Sequence, residues 1–354
     1  MKRKPSRPPS GRAGGSRRRS LVKTLLTFLG VFLWIPVMMG LVFYYLWVAV
    51  PYRGYPGSTL LLEIPPHRSA LEVLQILQDR GVIRAGPFAR FYLRLTRRAS
   101  GLRAGEYLFD HPLTAPEVLD KLVRGEIYYH RVTLPEGLRS AETFSLFERD
   151  GFGTEEAFRE AFRDTRPIAN LDEEATDLEG YLFPDTYLLA KGTTAAEIVQ
   201  QMVNHVQALW TTEWQELARS SGLSVREVMT LASLIEKETA RDEERPLISS
   251  VFHNRLRKRM RLQCDPTIIY ALAMRSGYRG RITRRDLALD SRYNTYVYGG
   301  LPPGPIANPG LDAIRAALYP DDTDYLYFVS MNTGRHAFST NLRDHSLAVR
   351  KYQR

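Results

Sequence analysis

Between Thr24 and Tyr52 the chain carries no charged residue, and its hydrophobic positions run on without a polar face. A membrane-spanning helix needs only about 20 such residues, so the stretch predicts one. Bulky Tyr44, Tyr45, Leu46 and Trp47 stand where a signal peptide would place small residues for cleavage. The run therefore reads as an uncleaved anchor with an interfacial aromatic belt, and Pro36 predicts a kink. Beyond it the pattern turns short and mixed. Residues 58–64 are strand-like, and Ser69-Ala-Leu-Glu72 is a capping box opening a helix that stops at Gly81. A second helix is predicted over 87–97 and a strand over 105–109. Thr114-Ala-Pro-Glu117 opens another capped helix, ending at Gly125, with a further strand over 127–132. The order β-α-α-β-α-β over 57–134 predicts a small α/β module. It carries no ionisable cluster and so reads as a binding or spacing domain.

From 135 to 354 the period lengthens. Apolar positions recur about every 3.6 residues over 194–209, 224–240, 245–257, 266–274 and 311–318, each predicting a helix. YLYFVS (325–330), the turn residues Asn332-Thr333-Gly334 and residues 336–339 predict a β-hairpin. The expected fold class is α+β: a single N-terminal transmembrane helix, a small α/β module and a larger, mainly helical α+β domain.

Charge sharpens this division. The chain has 49 Lys and Arg against 39 Asp and Glu, a net +10. Nine of the basic residues (Lys2, Arg3, Lys4, Arg7, Arg12, Arg17, Arg18, Arg19 and Lys23) precede the apolar run, where no acid occurs. The remainder is nearly neutral, which argues against a basic nucleic-acid groove. Positive flanks stay cytoplasmic, so 1–23 is expected to be a disordered cytoplasmic tail, 24–52 the anchor, and the rest external. One cysteine, Cys264, excludes an intrachain disulfide framework and any multi-thiolate metal site. Seven scattered histidines lack ligand spacing, and no phosphate loop, H-E-x-x-H helix or G-x-S-x-G elbow occurs.

Chemistry concentrates after residue 224. On the helix SVREVMTLASLIEKETA (224–240), Glu236 and Glu238 border opposite edges of one apolar arc, about 160° apart around the axis. Acids at a helix C-terminus oppose its dipole, and a partly desolvated Glu has the raised pKa of a proton donor. Periodicity alone does not choose between the two, nor exclude a merely charged last turn. Downstream, GGLPPGPIANPG (299–310) is too rich in Gly and Pro for helix or strand. Gln263, Asp265, Tyr293, Asn294, Tyr296, Asn308 and Asn341 lie in predicted loops as candidate sugar-binding residues, since amides pair with hydroxyls and rings stack on sugars.

LASLIEKETA (231–240), LQCDPTIIYA (262–271), YNTY (293–296), GLPPGPIANPG (300–310), FSTNLRDH (338–345) and GYLFPDTY (180–187) together resemble the YceG-like family, the MltG-type endolytic murein transglycosylases. The resemblance covers about 58–350. It implies a LysM-like module at 57–134 and a catalytic YceG-like domain at 135–354. It also implies that the catalytic acid is the second Glu of E-K-E, Glu238. Glu236 is then structural, paired with an arginine of 241–245. The implied reaction is cleavage of β-1,4 MurNAc–GlcNAc bonds in nascent peptidoglycan strands, leaving 1,6-anhydroMurNAc ends and terminating glycan elongation. No metal or organic cofactor is implied. Glycan strands and membrane-bound peptidoglycan synthases are the expected partners, and the bacterial cytoplasmic membrane the expected location. No second carboxylate beside Glu238 is evident in the sequence. The competing reading is a non-catalytic wall-binding scaffold for synthases, which a Gln at position 238 would have favoured. The basic tail is longer than the family pattern leads one to expect.

Overall fold

The computed structural model describes residues 15–85, 88–96, 101–275 and 277–353, which fall into two compact units divided after Tyr128. The basic tail before Gly15 lies outside the described residues.

In the first unit, helix α1 (Gly15–Val48) runs through Pro36. Its segment Lys23–Val48 is long and apolar enough to cross a membrane, and its most apolar stretch is unburied in the protein. At 1.5 Å per residue it would span roughly 39 Å, more than the ~30 Å of a hydrocarbon core. Strand β1 (Leu60–Ile64) pairs antiparallel with β2 (Gly105–Phe109), Leu62 facing Tyr107. Helices α2 (Ala70–Asp79), α3 (Phe88–Thr96) and α4 (Ala115–Arg124) complete the module. Both predicted capping boxes form, at Ser69/Glu72 and Thr114/Glu117. Leu62, Leu77, Tyr107, Val118 and Leu122 fill the core. Trp47 departs from the expected interfacial belt: it is buried in this core, its ring 5.4 Å from Tyr92, because the end of α1 packs into the module.

The second unit begins with β3 (Tyr129–Thr133), followed by helices α5 (Ser140–Arg149) and α6 (Glu155–Arg163). The strand anticipated at 127–132 is this β3, and its partner is β4 (Thr186–Ala190), so it builds the second unit. Alternation marks a strand but does not reveal which edge it will pair with. Helices α7 (Ala195–Leu209), α8 (Thr212–Ser220), α9 (Val225–Glu238), α10 (Arg245–Arg257), α11 (Asp265–Met274) and α12 (Leu311–Leu318) follow. A hairpin of β5 (Tyr327–Ser330) and β6 (His336–Ser339) leads into α13 (Leu342–Tyr352). Helix α9 is the central element, with every residue from Val228 to Ile235 buried. The mixed helix and strand content agrees with the α+β expectation.

Candidate functional site

Helix α9 is well specified at its start and abruptly ended. Ser224 accepts from the Glu227 amide at 3.2 Å, and the Glu227 carboxylate accepts from the Ser224 amide at 2.8 Å. At the other end Thr239 is extended, with φ −146°, so the helix stops with Glu238 as its last residue. The two candidate acids go to different places. Glu236 is buried, 3.4 Å from Arg245 Nη2, and accepts from the Gly310 amide at 3.0 Å. Arg245 also meets Asp242 and Glu136. Glu236 thus fastens the Pro/Gly-rich loop to α9, a structural task, and its arginine partner falls within 241–245.

Glu238 faces a different cluster. Its Oε1 accepts from the Cys264 thiol at 2.9 Å, and Oε2 has no hydrogen-bond partner among the described residues. Burial raises its pKa, and the charge of Asp265 adds to that; the Cys264 bond, His336 and Arg255 pull it back only partly. Its place at the helix C-terminus, where the carbonyl dipoles gather, works in the same upward direction. A carboxyl so placed holds its proton at higher pH than a solvated one and can give it to a ligand atom.

Four elements converge on it. Arg255, from α10, is close enough for its charge to act on Glu238 but makes no salt bridge with it, and spends its donors on backbone: Leu262 O at 2.7 Å, Arg261 O at 3.2 Å and Leu326 O at 2.7 Å. It so joins the loop before α11 to the hairpin. Cys264 caps α11 and donates its own amide to Thr295 Oγ1 at 2.9 Å. Tyr296 donates to Asp265 Oδ1 at 2.6 Å, and burial followed by that bond pushes its phenol up. From β6, His336 bonds Glu244 through Nδ1 at 2.7 Å and through its amide at 3.0 Å. Arg241 Nε adds a bond to Gly334 O at 2.6 Å, so the residues just after Glu238 hold the hairpin turn.

The candidate binding residues divide. Asp265 and Tyr296 lie close enough to Glu238 to interact with its charge, and Gln263 precedes Cys264, its backbone amide bonded to Thr295 O at 3.3 Å. Gln263 has φ 52°, a left-handed conformation costly for a side-chain-bearing residue, and its side chain is exposed between buried Leu262 and Cys264. Tyr293 is elsewhere: its ring lies 4.9 Å from Tyr270, and it lines a cleft of about 100 Å³ with Asp177, Glu179, Arg226 and Pro305. The three asparagines are occupied by the fold. Asn294 is buried, donates to Leu287 O and Leu289 O and accepts from the Tyr296 amide. Asn308 is buried, its Oδ1 accepting from the Gly180 and Leu182 amides and its Nδ2 donating to Leu138 O. Gly180 itself admits no other residue, since φ is +85° and a Cβ would collide with the Pro305 ring. Asn341 caps α13, accepting from the Asp344 amide at 3.0 Å; the loop anticipated beyond it is a helix.

Two participants were not singled out from the sequence, Arg255 and His336. Arg255 had a readable signal: with Ile248, Val251 and Phe252 it completes an i, i+3, i+4, i+7 stripe in which a cation replaces an apolar residue. The structure also corrects the apparent isolation of Glu238, because Asp265 stands close enough for its charge to act on it.

A mainly helical α+β domain with one desolvated acid at the end of its central helix defines the class of protein. The chain belongs to the YceG-like family, whose model matches residues 62–351. It is 33% identical over 311 residues to the endolytic murein transglycosylase of Bacillus subtilis, covering 83% of this chain and 85% of that protein. It is 29% identical over 339 residues to the endolytic murein transglycosylase of Streptococcus pneumoniae, covering 86% of this chain and 60% of that protein. The crystal structure of a yceG-like protein from Listeria monocytogenes superposes with a TM-score of 0.55 at 31% identity, covering 82% of this chain and 98% of the other.

Proposed function

We propose that this protein is a membrane-anchored endolytic lytic transglycosylase of peptidoglycan, with Glu238 as its single acid and base. The observation that carries the reading is Glu238 itself: desolvated, raised in pKa, one oxygen held by Cys264 and the other unpartnered. Protonated, it donates to the glycosidic oxygen between MurNAc and GlcNAc as the oxocarbenium-like state develops. As carboxylate it then takes the proton of the C6 hydroxyl of the same MurNAc, which attacks C1 and closes the 1,6-anhydro ring. Effective molarities of about 10⁵–10⁸ M let such an internal hydroxyl outcompete water at about 55 M. In this reading Gln263 and Tyr296 contact the sugars flanking the bond, Tyr296 being near enough to Glu238 for their charges to interact. The mechanism calls for no metal or organic cofactor.

The remaining assignments follow from chain organisation. Residues 1–23 form a cytoplasmic tail, 24–52 the anchor, 57–134 a LysM-like module whose last strand, β3, is given over to the second unit, and 135–354 the external catalytic domain. Held beside the membrane, the enzyme cuts nascent strands and so terminates their elongation near the synthases that extend them. A non-catalytic scaffold would have no use for a desolvated acid.

Asp265 gives one specific reason to weigh hydrolysis, since a second carboxyl near the acid can activate water in inverting or retaining glycosidases. Its engagement by Tyr296 favours a binding role instead. Mass spectrometry of products from purified glycan strands decides: the expected ends are 1,6-anhydroMurNAc, lighter by one water and unlabelled in heavy-oxygen water. Labelled reducing ends as the main product would replace this reading with a muramidase.

A further inference from the structure

Cys264 is the one cysteine in the chain, it is 2% exposed, and it is fixed from three sides. Its amide donates to Thr295 Oγ1 at 2.9 Å, its carbonyl accepts from Thr267 Oγ1 at 2.6 Å, and its Sγ lies 2.9 Å from Glu238 Oε1. Thr267 and Thr295 are themselves 3.0 Å apart through their hydroxyls, so the thiol sits on a braced support. The contact with Glu238 joins the end of α9 to the start of α11 across 26 residues of sequence.

We propose that Cys264 is a positioning residue for the acid: its thiol holds Oε1 of Glu238 in one rotamer and leaves Oε2 as the oxygen that exchanges a proton with substrate. This rests on the role proposed above for Glu238. The thiol does so as a donor that never ionises, because burial, followed by the charge of Glu238, keeps its pKa well above the ordinary thiol range. A thiol is also a weak donor and a weak acceptor. It can donate to Oε1 of the carboxylate, and still donate weakly to the same oxygen when Oε2 carries the proton, without favouring one form as strongly as a hydroxyl or a cation would. That suits a group that must be acid in one step and base in the next. The other groups facing Glu238 are Asp265 on α11, Arg255 on α10, His336 on β6 and, through Asp265, Tyr296; none is hydrogen-bonded to its carboxyl.

The test measures Glu238 directly on the full chain in detergent micelles, by carboxyl ¹³C NMR assigned with Glu238→Gln. Removing the donor in Cys264→Ala should raise the Glu238 pKa by about 0.5–1 unit, roughly a 3–10-fold change in its proton affinity. Cys264→Ser should return it to the wild-type value or below. The alkaline limb of the kcat profile should move with it while KM stays unchanged. In the wild-type protein the single S–H stretching band should shift in Raman spectra as Glu238 titrates, which needs no variant to fold. An unmoved carboxyl pKa in Cys264→Ala, or an S–H band indifferent to Glu238, would overturn the proposal. Both readouts are independent of turnover. A coupled thiol and acid in a protein that releases no anhydro product would count against the function and leave the positioning role standing.

Discussion

Glu179 is buried with no ion-pair partner among the described residues, and this makes stability depend on pH in a calculable way. Its Oε1 accepts from the Ser140 amide at 2.8 Å and hydroxyl at 2.9 Å, and Tyr270 donates to Oε2 at 3.3 Å. Burial outweighs these bonds and raises its pKa from 4.5 to about 7. Below about pH 4.5 both folded and unfolded chains hold this proton and the group costs nothing. Between there and about pH 7 the unfolded chain releases it while the folded chain keeps it, so stability falls as pH rises. At 1.36 kcal/mol per unit the accumulated loss is about 3 kcal/mol. Glu179→Gln keeps the shape and cannot titrate. Its stability relative to wild type should therefore climb by about 3 kcal/mol from about pH 4 to about pH 8, other titrations cancelling in the difference. Guanidinium unfolding in mild detergent, followed through Trp210 and Trp214 in the core of the same unit, measures it. A difference that stays flat with pH would refute the premise, showing that the carboxylate finds water or compensation in the folded state.

Glu238→Gln should lose about 10²–10⁴-fold in activity on glycan strands with an unchanged circular dichroism spectrum. Glu236→Gln should lose far less activity but about 1–3 kcal/mol of stability, since buried Arg245 keeps only Asp242 and Glu136; the reverse ranking of activities would mean the wrong acid was assigned. Asn308→Ala strands the Gly180 and Leu182 amides in the interior, while Leu138 O keeps its bond from the residue 308 amide, and should cost about 3 kcal/mol by chemical denaturation. Alkaline phosphatase fused after Arg354 should be active and a fusion at residue 20 inactive, and reversing the nine positive charges should weaken or invert this. An inactive reporter at the C-terminal fusion would remove the proposed access to wall glycan.

Much of the fold was legible because it is locally encoded. The capping boxes read at Ser69 and Thr114 mark helix starts with side chains that bond within three residues, and both form; Thr194 and Ser224, read only as starts of periodic segments, open boxes of the same kind. Helices α10 and α12 have the bounds their periodicity predicts. What was not legible depends on distant partners. β3 has its mate more than fifty residues on. Trp47 leaves the belt for a core assembled from residues far downstream. Asparagines in Gly- and Pro-rich segments suggested ligand contacts, yet a buried backbone turn needs the same donors and acceptors, and Asn308 supplies them to Gly180 from 128 residues away. Around Glu238 the pair of carboxylates stood out, because acids at the end of an apolar helix are locally anomalous, but periodicity did not choose between them and only the family resemblance pointed to Glu238. Arg255 left a trace in its helical stripe, whereas nothing local pairs Cys264 or His336 with Glu238, because only folding makes them neighbours.

The hairpin that brings His336 within electrostatic reach of Glu238 has a consequence for timing. The groups that act on the acid come from α10, the start of α11 and β6, the last of them roughly a hundred residues later in the chain. A polypeptide made and exported N-terminus first, with domains folding as they emerge, presents residue 238 long before His336 and the hairpin turn held by Arg241 can arrive. Until they do, Glu238 lies in water with an ordinary pKa and is ionised at neutral pH, unable to donate. Under the proposed topology and role of Glu238, the protein thus leaves the export channel as an unarmed chain. Ending it at Ser330, before β6, should give a wall-inert product even though every residue of α9 is present.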